Sequence, residues 1–314
     1  GNGGGAAVLT VGGTLNINGF ISSNGTAGTN NGGGGAGGTI NINTVNLSGT
    51  GTLSANGGGS GGYPGGGGGG RVAINTLGDN SSSLTITANS LKGYTYVVGG
   101  AGTIYTNNNG VNQLIVSNGG NVAGSQTPIS SVIAGTPILM INTLTMTNAQ
   151  LIFDNSVVLV ISSIGFTSGT NVLTVGSMTV HENLTLPANT TLLQNSTNTL
   201  AINNTFTMKD GSKLAHTMNS TDKSSAINLS VSGDMTVEAG GNINVDGMGY
   251  AGGTAGQSGY GPGYGGGSIE NGGGGAGYGG NGGIGHGGTA GGATYGLIST
   301  PGELGSGGGG SNGV

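Results

Sequence analysis

Short runs of alternating apolar and polar residues, separated by turns, make up most of this chain. In residues 39–54 the apolar positions are Ile40, Ile42, Val45, Leu47 and Leu53, with Thr, Asn and Ser filling most of the gaps. A period of two puts successive side chains on opposite faces, so each run predicts a half-buried β-strand. Residues 57–70 follow, in which only Ser60, Tyr63 and Pro64 are not glycine, and then another strand, Arg71-Val-Ala-Ile-Asn75. The same succession occurs upstream, from Ala7, Leu9, Val11 and Leu15 through Ile21 to a loop at 26–38. Ile21-Ser-Ser-Asn-Gly25 aligns with Leu53-Ser-Ala-Asn-Gly57 at an offset of 32 residues. Self-similarity at a period of about 20–50 residues marks stacked repeats.

The middle of the chain keeps the alternation without the glycine. Leu144-Thr-Met146, Leu173-Thr-Val175, Leu200-Ala-Ile202 and Leu229-Ser-Val231 follow one another at 29, 27 and 29 residues. Turns such as Asn118-Gly119 and Asp210-Gly211 lie between them. Apolar residues nowhere recur at helical spacing among good helix formers, so no significant helix is expected. Further on, Val237 to Ile243 repeats the six-residue step of Leu15 to Ile21, and a Gly- and Tyr-rich loop runs from Met248 to Gly292, ahead of Leu297 and Ile298. Three regions result: glycine-rich rungs at 1–71, a regular β middle at 72–239, and a glycine- and Tyr-rich rung with loops at 240–314.

Parallel strands cannot be joined by tight hairpins. A solenoid solves this by coiling, each rung pairing with those above and below. The expected fold is therefore all-β, a β-solenoid with glycine-rich extended loops. Asn24, Asn56 and Asn118 would sit at its corners, where Asn tolerates left-handed φ and forms hydrogen-bonded ladders. A bare glycine loop loses much entropy on ordering. It stays a mobile linker unless its limbs pack as side-chain-free extended strands. Three loops leaving one edge of successive rungs favour packing, with Tyr63, Tyr250, Tyr260, Tyr264, Tyr278 and Tyr295 covering the layer. The ending from Glu303 to Val314, joined to Gly1 through Val11, reads as the two halves of one more unit. The C-terminal loop of one subunit would then complete the first strand of the next, or the chain is one repeat of a longer polypeptide.

The stretches GGAAVLTVGGTLNINGFISSNG, GGTININTVNLSGTGTLSANG and GGRVAIN resemble the glycine-rich repeats of large bacterial cell-surface β-solenoid proteins. The middle is similar to the right-handed parallel β-helix adhesins, with their LTV-x-G-x-LTV cadence. The resemblance implies a right-handed parallel β-helix, secretion, an extracellular or cell-surface location and a structural or adhesive role. It brings no catalytic residues.

Composition narrows the chemistry. Glycine supplies 78 of 314 residues, and 63 of them lie outside residues 72–239. Charged residues are 5%, against about 25% in ordinary domains, and only five are Lys or Arg. That excludes an electrostatic nucleic-acid surface, which needs clustered cations. There is no Cys, hence no disulfide, thiol nucleophile or Cys metal site. No apolar run approaches the ~18 residues of a membrane span. Glycine runs that bind phosphate need a following helix, and calcium β-roll repeats need an Asp per unit; Asp246 is the only Asp in either flank.

The acids are scattered. His181-Glu182 point to opposite faces of a strand, Lys209-Asp210 with Lys213 reads as a charged turn, and His216 and His286 have no evident partners. The chain is therefore read as no enzyme, with no cofactor or metal. Rows of Thr (Thr85 and Thr87; Thr143, Thr145 and Thr147) could face ice, but exposed strands prefer Thr anyway. Nine Asn residues satisfy N-x-S/T, six of them clustered as Asn183, Asn189, Asn195, Asn203, Asn219 and Asn228, the candidate glycosylation sites.

The leading expectation is a structural subunit that binds copies of itself head-to-tail, a homopolymer. Its interface would be Ala7, Leu9, Val11 and Leu15 on the first rung, with Val237, Ile243, Leu297 and Ile298 on the last, since uncapped strand edges invite pairing. The rival is an adhesin or phage-fibre-like module whose Tyr260, Tyr264 and Tyr278 loops bind a surface glycan or receptor.

Overall fold

Each alternating run forms a strand because its Ile, Val and Leu side chains can leave water together only on one face. The computed structural model describes residues 1–60, 64–92, 98–121, 124–167 and 169–312; Tyr63 and Val314 lie outside them. The strands are β1 (Ala6–Asn16), β2 (Phe20–Ser22), β3 (Thr39–Ser48), β4 (Thr52–Ser54), β5 (Arg71–Thr76), β6 (Thr85–Thr87), β7 (Thr103–Asn108), β8 (Val111–Ser117) and β9 (Thr127–Ile129). After one helical turn, α1 (Ser131–Ala134), come β10 (Ile138–Thr147), β11 (Gln150–Phe153), β12 (Val158–Phe166), β13 (Asn171–Val175), β14 (Ser177–Val180) and β15 (Leu184–Leu186). The remainder are β16 (Thr190–Gln194), β17 (Leu200–Ile202), β18 (Phe206–Met208), β19 (Lys213–His216), β20 (Leu229–Val231), β21 (Met235–Val237) and β22 (Asn242–Ile243). The protein is nearly all β. Besides α1, helix among the described residues is a single 3-10 turn at His286–Gly288.

Residue contacts divide the chain into two units. The first comprises Gly1–Leu192, Thr199–Lys213 and Leu229–Asn242; the second comprises Leu193–Asn198, Leu214–Asn228 and Ile243–Val314.

In the first unit a ten-stranded sheet has the order β1-β3-β5-β7-β8-β10-β12-β14-β17-β20, flanked by stacks β2-β4-β6 and β15-β18-β21. The pairings are parallel except at β7–β8. Ile40, Val72 and Ile104 stand in register at intervals of 32 residues, matching the sequence repeat. Beyond β8 the interval shortens: Ile138 pairs with Val158 and Met178 with Leu200, and it lengthens again where Leu200 meets Leu229. The sequence cadence through Leu144, Leu173, Leu200 and Leu229 is thus corrected. Leu173 on β13 pairs with Leu151 on β11, in a stack separate from the ten-stranded sheet. Short Leu-x-Val cores look alike whichever side of a turn they form.

The antiparallel step was not foreseen. It is a tight hairpin in which Asn109 (φ 48°) and Gly110 (φ 88°) take the left-handed conformations that such turns demand. It also moves the core. Ile40, Ile42, Val72, Ile74 and Ile104 are buried in one cluster, and Ile115, opposite Ile104, packs partly against it. Leu114 and Val116 point to the other face, where their register partners Leu144 and Met146 are fully buried. The sheet therefore carries one core on one face before the hairpin and a second on the opposite face after it.

The corner Asn residues form ladders: Asn24 Oδ1 accepts from Asn56 N at 2.7 Å, and Asn56 Oδ1 from Asn89 N at 2.8 Å. Left-handed φ falls instead on Asn30, Asn31, Asn109, Asn148 and Asn189. The corners at Asn24, Asn56 and Asn118 bend by side-chain acceptance rather than by strained backbone.

The described glycine limbs pack. Residues 55–59 are hydrogen-bonded to four other limbs: Gly25 N to Asn56 O (2.8 Å), Gly57 N to Asn89 O (2.9 Å), Gly58 N to Gly35 O (2.7 Å) and Gly67 N to Gly58 O (2.8 Å). A β-strand can have only two neighbours, because its peptides alternate between two directions. More neighbours require peptides that point in three directions, as in the three-residue turn of polyproline II. The sterics agree. A Cβ at Gly25, Gly28, Gly35 or Gly38 would collide with facing backbone, whereas Gly33 has 3.5 Å of clearance and Ala36, the one non-glycine within residues 32–38, is exposed.

The second unit uses the same construction. Residues 305–310 bond to Tyr250 and Gly253, to Gln257 and Tyr260, to Gly265, and to Gly274, at 2.8–3.1 Å. Within the chain, the ending from 305 to 310 is thus bonded into its own bundle. At the other end of the chain, the Gly1 amine donates to Gly33 O at 2.6 Å. Two substitutions test the packing. Gly35→Ala should cost about 1–3 kcal/mol in denaturant unfolding through overpacking, while Gly33→Ala, two residues away, should change stability by less than about 1 kcal/mol.

Candidate functional site

The end strands differ from their neighbours in one respect. On β1 the inward side chains Ala7, Leu9 and Leu15 are only half-buried, although their register partners on β3, Ile40, Ile42 and Leu47, are at most 1% exposed. Val11, opposite the buried Thr44, is likewise half-buried. The other end repeats the loss. Phe206 and Met208 are fully buried, while their partners Met235 and Val237 are 38% and 45% exposed. Ile243 is exposed as well. An inward side chain needs a rung on each side to be covered, and β1 and β20 each pair on one edge only.

Leu297 and Ile298 are not part of a rung. No strand forms over 293–298; both residues are exposed on a loop of the glycine bundle. That stretch is Gly- and Tyr-rich and is used by the bundle. Gly292 N bonds to Gly275 O and Tyr295 N to Tyr278 O, each at 2.9 Å.

This loop builds an uncharged cleft of about 530 Å3 lined by Tyr278, Tyr295, Leu297, Ile298 and Pro301. The Tyr278 and Tyr295 rings meet edge to face at 4.8 Å, a favoured aromatic geometry. Tyr295 Oη donates to Leu304 O and accepts from Ser306 Oγ at 2.8 Å. Tyr278 lies over Gly296, Tyr295 over Gly263 and Tyr250 over Gly261, so these three rings cover glycine as expected. Tyr260 and Tyr264 are about half exposed and do not line the cleft. The cleft was missed in the sequence because Leu297 and Ile298 read there as part of the last rung.

Among the glycosylation candidates Asn183, Asn189, Asn203 and Asn228 are exposed and Asn195 is half-buried. Asn219 is different. It is 2% exposed, its Nδ2 donates to Ser225 O (2.9 Å) and Met248 O (2.8 Å), and its Oδ1 accepts from the Ser224 and Ser225 amides. An amide with both donors engaged inside the protein is closed to a glycan in the folded chain, so among the six Asn219 is the one a modification would have to reach before folding.

Of the titratable groups, exposed His181 meets Asn203 at 3.1 Å, and buried His216 meets Thr217 O at 2.8 Å. Lys209 pairs with Glu238 at the surface, and Lys223 with Glu303. Among the described residues no three His, Cys, Asp or Glu side chains converge, and no helix is long and apolar enough to cross a membrane.

No family model, curated protein or solved structure matches the chain.

Tyr295→Phe should loosen the loop that frames the cleft. The expected result is a loss of about 1 kcal/mol and faster proteolytic cleavage within 296–304, read by mass spectrometry of the fragments.

Proposed function

We propose that the chain is a structural module, a right-handed parallel β-solenoid that associates with copies of itself, end to end, into an extracellular filament, surface layer or matrix. The observation that carries this reading is the matched loss of burial at β1 and at β20–β21. A further rung at either end would cover apolar side chains already aligned to receive it. It would also pair the free backbone edges, the route by which exposed strands associate. The extracellular location rests on the resemblance of the glycine repeats. The right hand follows the general rule for crossovers between parallel strands.

The hairpin at β7–β8 is compatible with one hand throughout. Strand direction and the face bearing the core reverse together, and inverting both leaves the sense of winding unchanged. It has a consequence for assembly. A copy stacked on β20 keeps a parallel, continuous core only if it is turned by about half a revolution around the stacking axis. Such a non-closing contact propagates as a filament.

A second reading, an adhesive module for a neutral glycan or receptor, is favoured by the Tyr278–Tyr295 cleft with its exposed Leu297 and Ile298. Uncharged aromatic and apolar lining suits a ligand without charge.

Negative-stain microscopy tests the first reading. Filaments whose subunits alternate by about half a turn are expected, and Leu9→Lys or Val237→Lys should abolish them. Protein that stays monomeric at high concentration in physiological salt overturns it. Retention of the chain on an immobilised surface glycan, lost on Tyr278→Ala or on joint Tyr260→Ala and Tyr264→Ala replacement, would decide for the second.

A further inference from the structure

The face switch leaves a cavity in the first unit where the second core begins. Outward-facing residues of four successive strands meet there. Arg71 on β5 stands in register with Thr103 on β7, and Tyr105 on β7 stands opposite Leu114 on β8. On other rungs this outward face carries small polar residues such as Asn43 and Asn75, which bond to each other at 3.1 Å. Here it forms one wall of a pocket of about 590 Å3, closed on the far side by Ile129, Ile133 of α1 and Leu139 of β10. That volume lies within the range of about 300–1,000 Å3 usual for small-molecule sites.

The lining is mostly apolar, with Thr103, Tyr105 and Thr136 adding hydroxyls and Arg71 the one charge. Arg71 Nη1 donates to Thr103 Oγ1 at 3.3 Å. Arg71 is the only arginine in the chain, and it takes part in neither of the two ion pairs formed among the described residues. A guanidinium fork whose one side-chain hydrogen bond among the described residues is to Thr103, at a mostly apolar pocket, matches one chemical class: an apolar molecule that ends in a carboxylate, which Arg binds through two parallel hydrogen bonds. We infer that this pocket binds a small amphipathic carboxylate, its hydrocarbon part against Leu114, Ile129, Ile133 and Leu139 and its head on Arg71, with the Tyr105 side chain at hand as a second polar group. The site belongs to the first unit alone and does not depend on self-association.

Titration calorimetry with octanoate, and with 1-octanol as the uncharged counterpart, tests the assignment. Octanoate should bind in the submillimolar range and 1-octanol at least about tenfold more weakly, the weight of one charge-assisted contact. Arg71→Gln should bring octanoate to the level of the alcohol and leave alcohol binding unchanged. Ile133→Asp, at a partly exposed position of α1, should weaken both while the circular dichroism spectrum stays the same. The inference is overturned if octanoate and 1-octanol bind the native chain equally, if neither binds at millimolar concentration, or if Arg71→Gln leaves octanoate affinity intact.

Discussion

The hydrogen bond between one bare backbone and another is the interaction on which this structure depends. Glycine costs more entropy to order than any other residue, about 0.5–1 kcal/mol beyond alanine. A net backbone hydrogen bond contributes a similar amount. Fixing any residue's backbone already costs roughly 1–2 kcal/mol, so a glycine limb bonded to one neighbour alone would not stay ordered. The limbs here escape by number of neighbours. Residues 55–59 reach four other limbs and residues 305–310 reach four, because the absence of Cβ lets chains approach on every side. Side chains are excluded from the interior of such an array, and Tyr250, Tyr278 and Tyr295 lie over its glycines.

The strands of the first unit follow a more familiar logic, with aliphatic side chains stacked in register and Asn ladders at the corners. What joins the two kinds of packing is the repeat of 32 residues. It sets the rise from Ile40 to Val72 to Ile104 and equally brings loop limbs such as Gly25 and Asn56, or Gly37 and Gly68, within bonding distance. An insertion in one loop would shift both. The hairpin at Asn109-Gly110 ends this regime, reverses the strands and places the next core on the other face. The cavity beside Arg71 descends from that one turn, as would the half-turn relation between copies in the proposed assembly.

Much of this was legible in the residues. The period-2 alternation located the strands, the offset between Ile21 and Leu53 gave the register of β2 with β4, and the scarcity of helix formers matched an almost helix-free chain. The packing of the glycine limbs followed from three loops leaving one edge. Other features were not legible, for physical reasons. Asn109-Gly110 is one of several Asn-Gly pairs, and only its flanking register makes it a hairpin; Asn118-Gly119 has the same letters and none of the reversal. Leu173 has the same Leu-x-Val neighbourhood as Leu229 but belongs to another stack. Leu297 and Ile298 look like a strand core, yet the bundle takes their neighbours first and leaves them in solvent. Asn219 satisfies the glycosylation pattern, and its burial is not visible in that pattern. Pattern reports which faces are apolar; it does not report which neighbour arrives to cover them.

Backbone amide hydrogen exchange measures the central claim most directly. Gly58, Gly265, Gly307 and Gly309 lie outside any β-strand, yet each donates to a facing carbonyl. If the glycine limbs form an ordered hydrogen-bonded array, these amides should exchange slowly, with protection of the same order as Ile42 in β3. Exchange at the rate of free glycine, beside protected strand amides, would contradict the account.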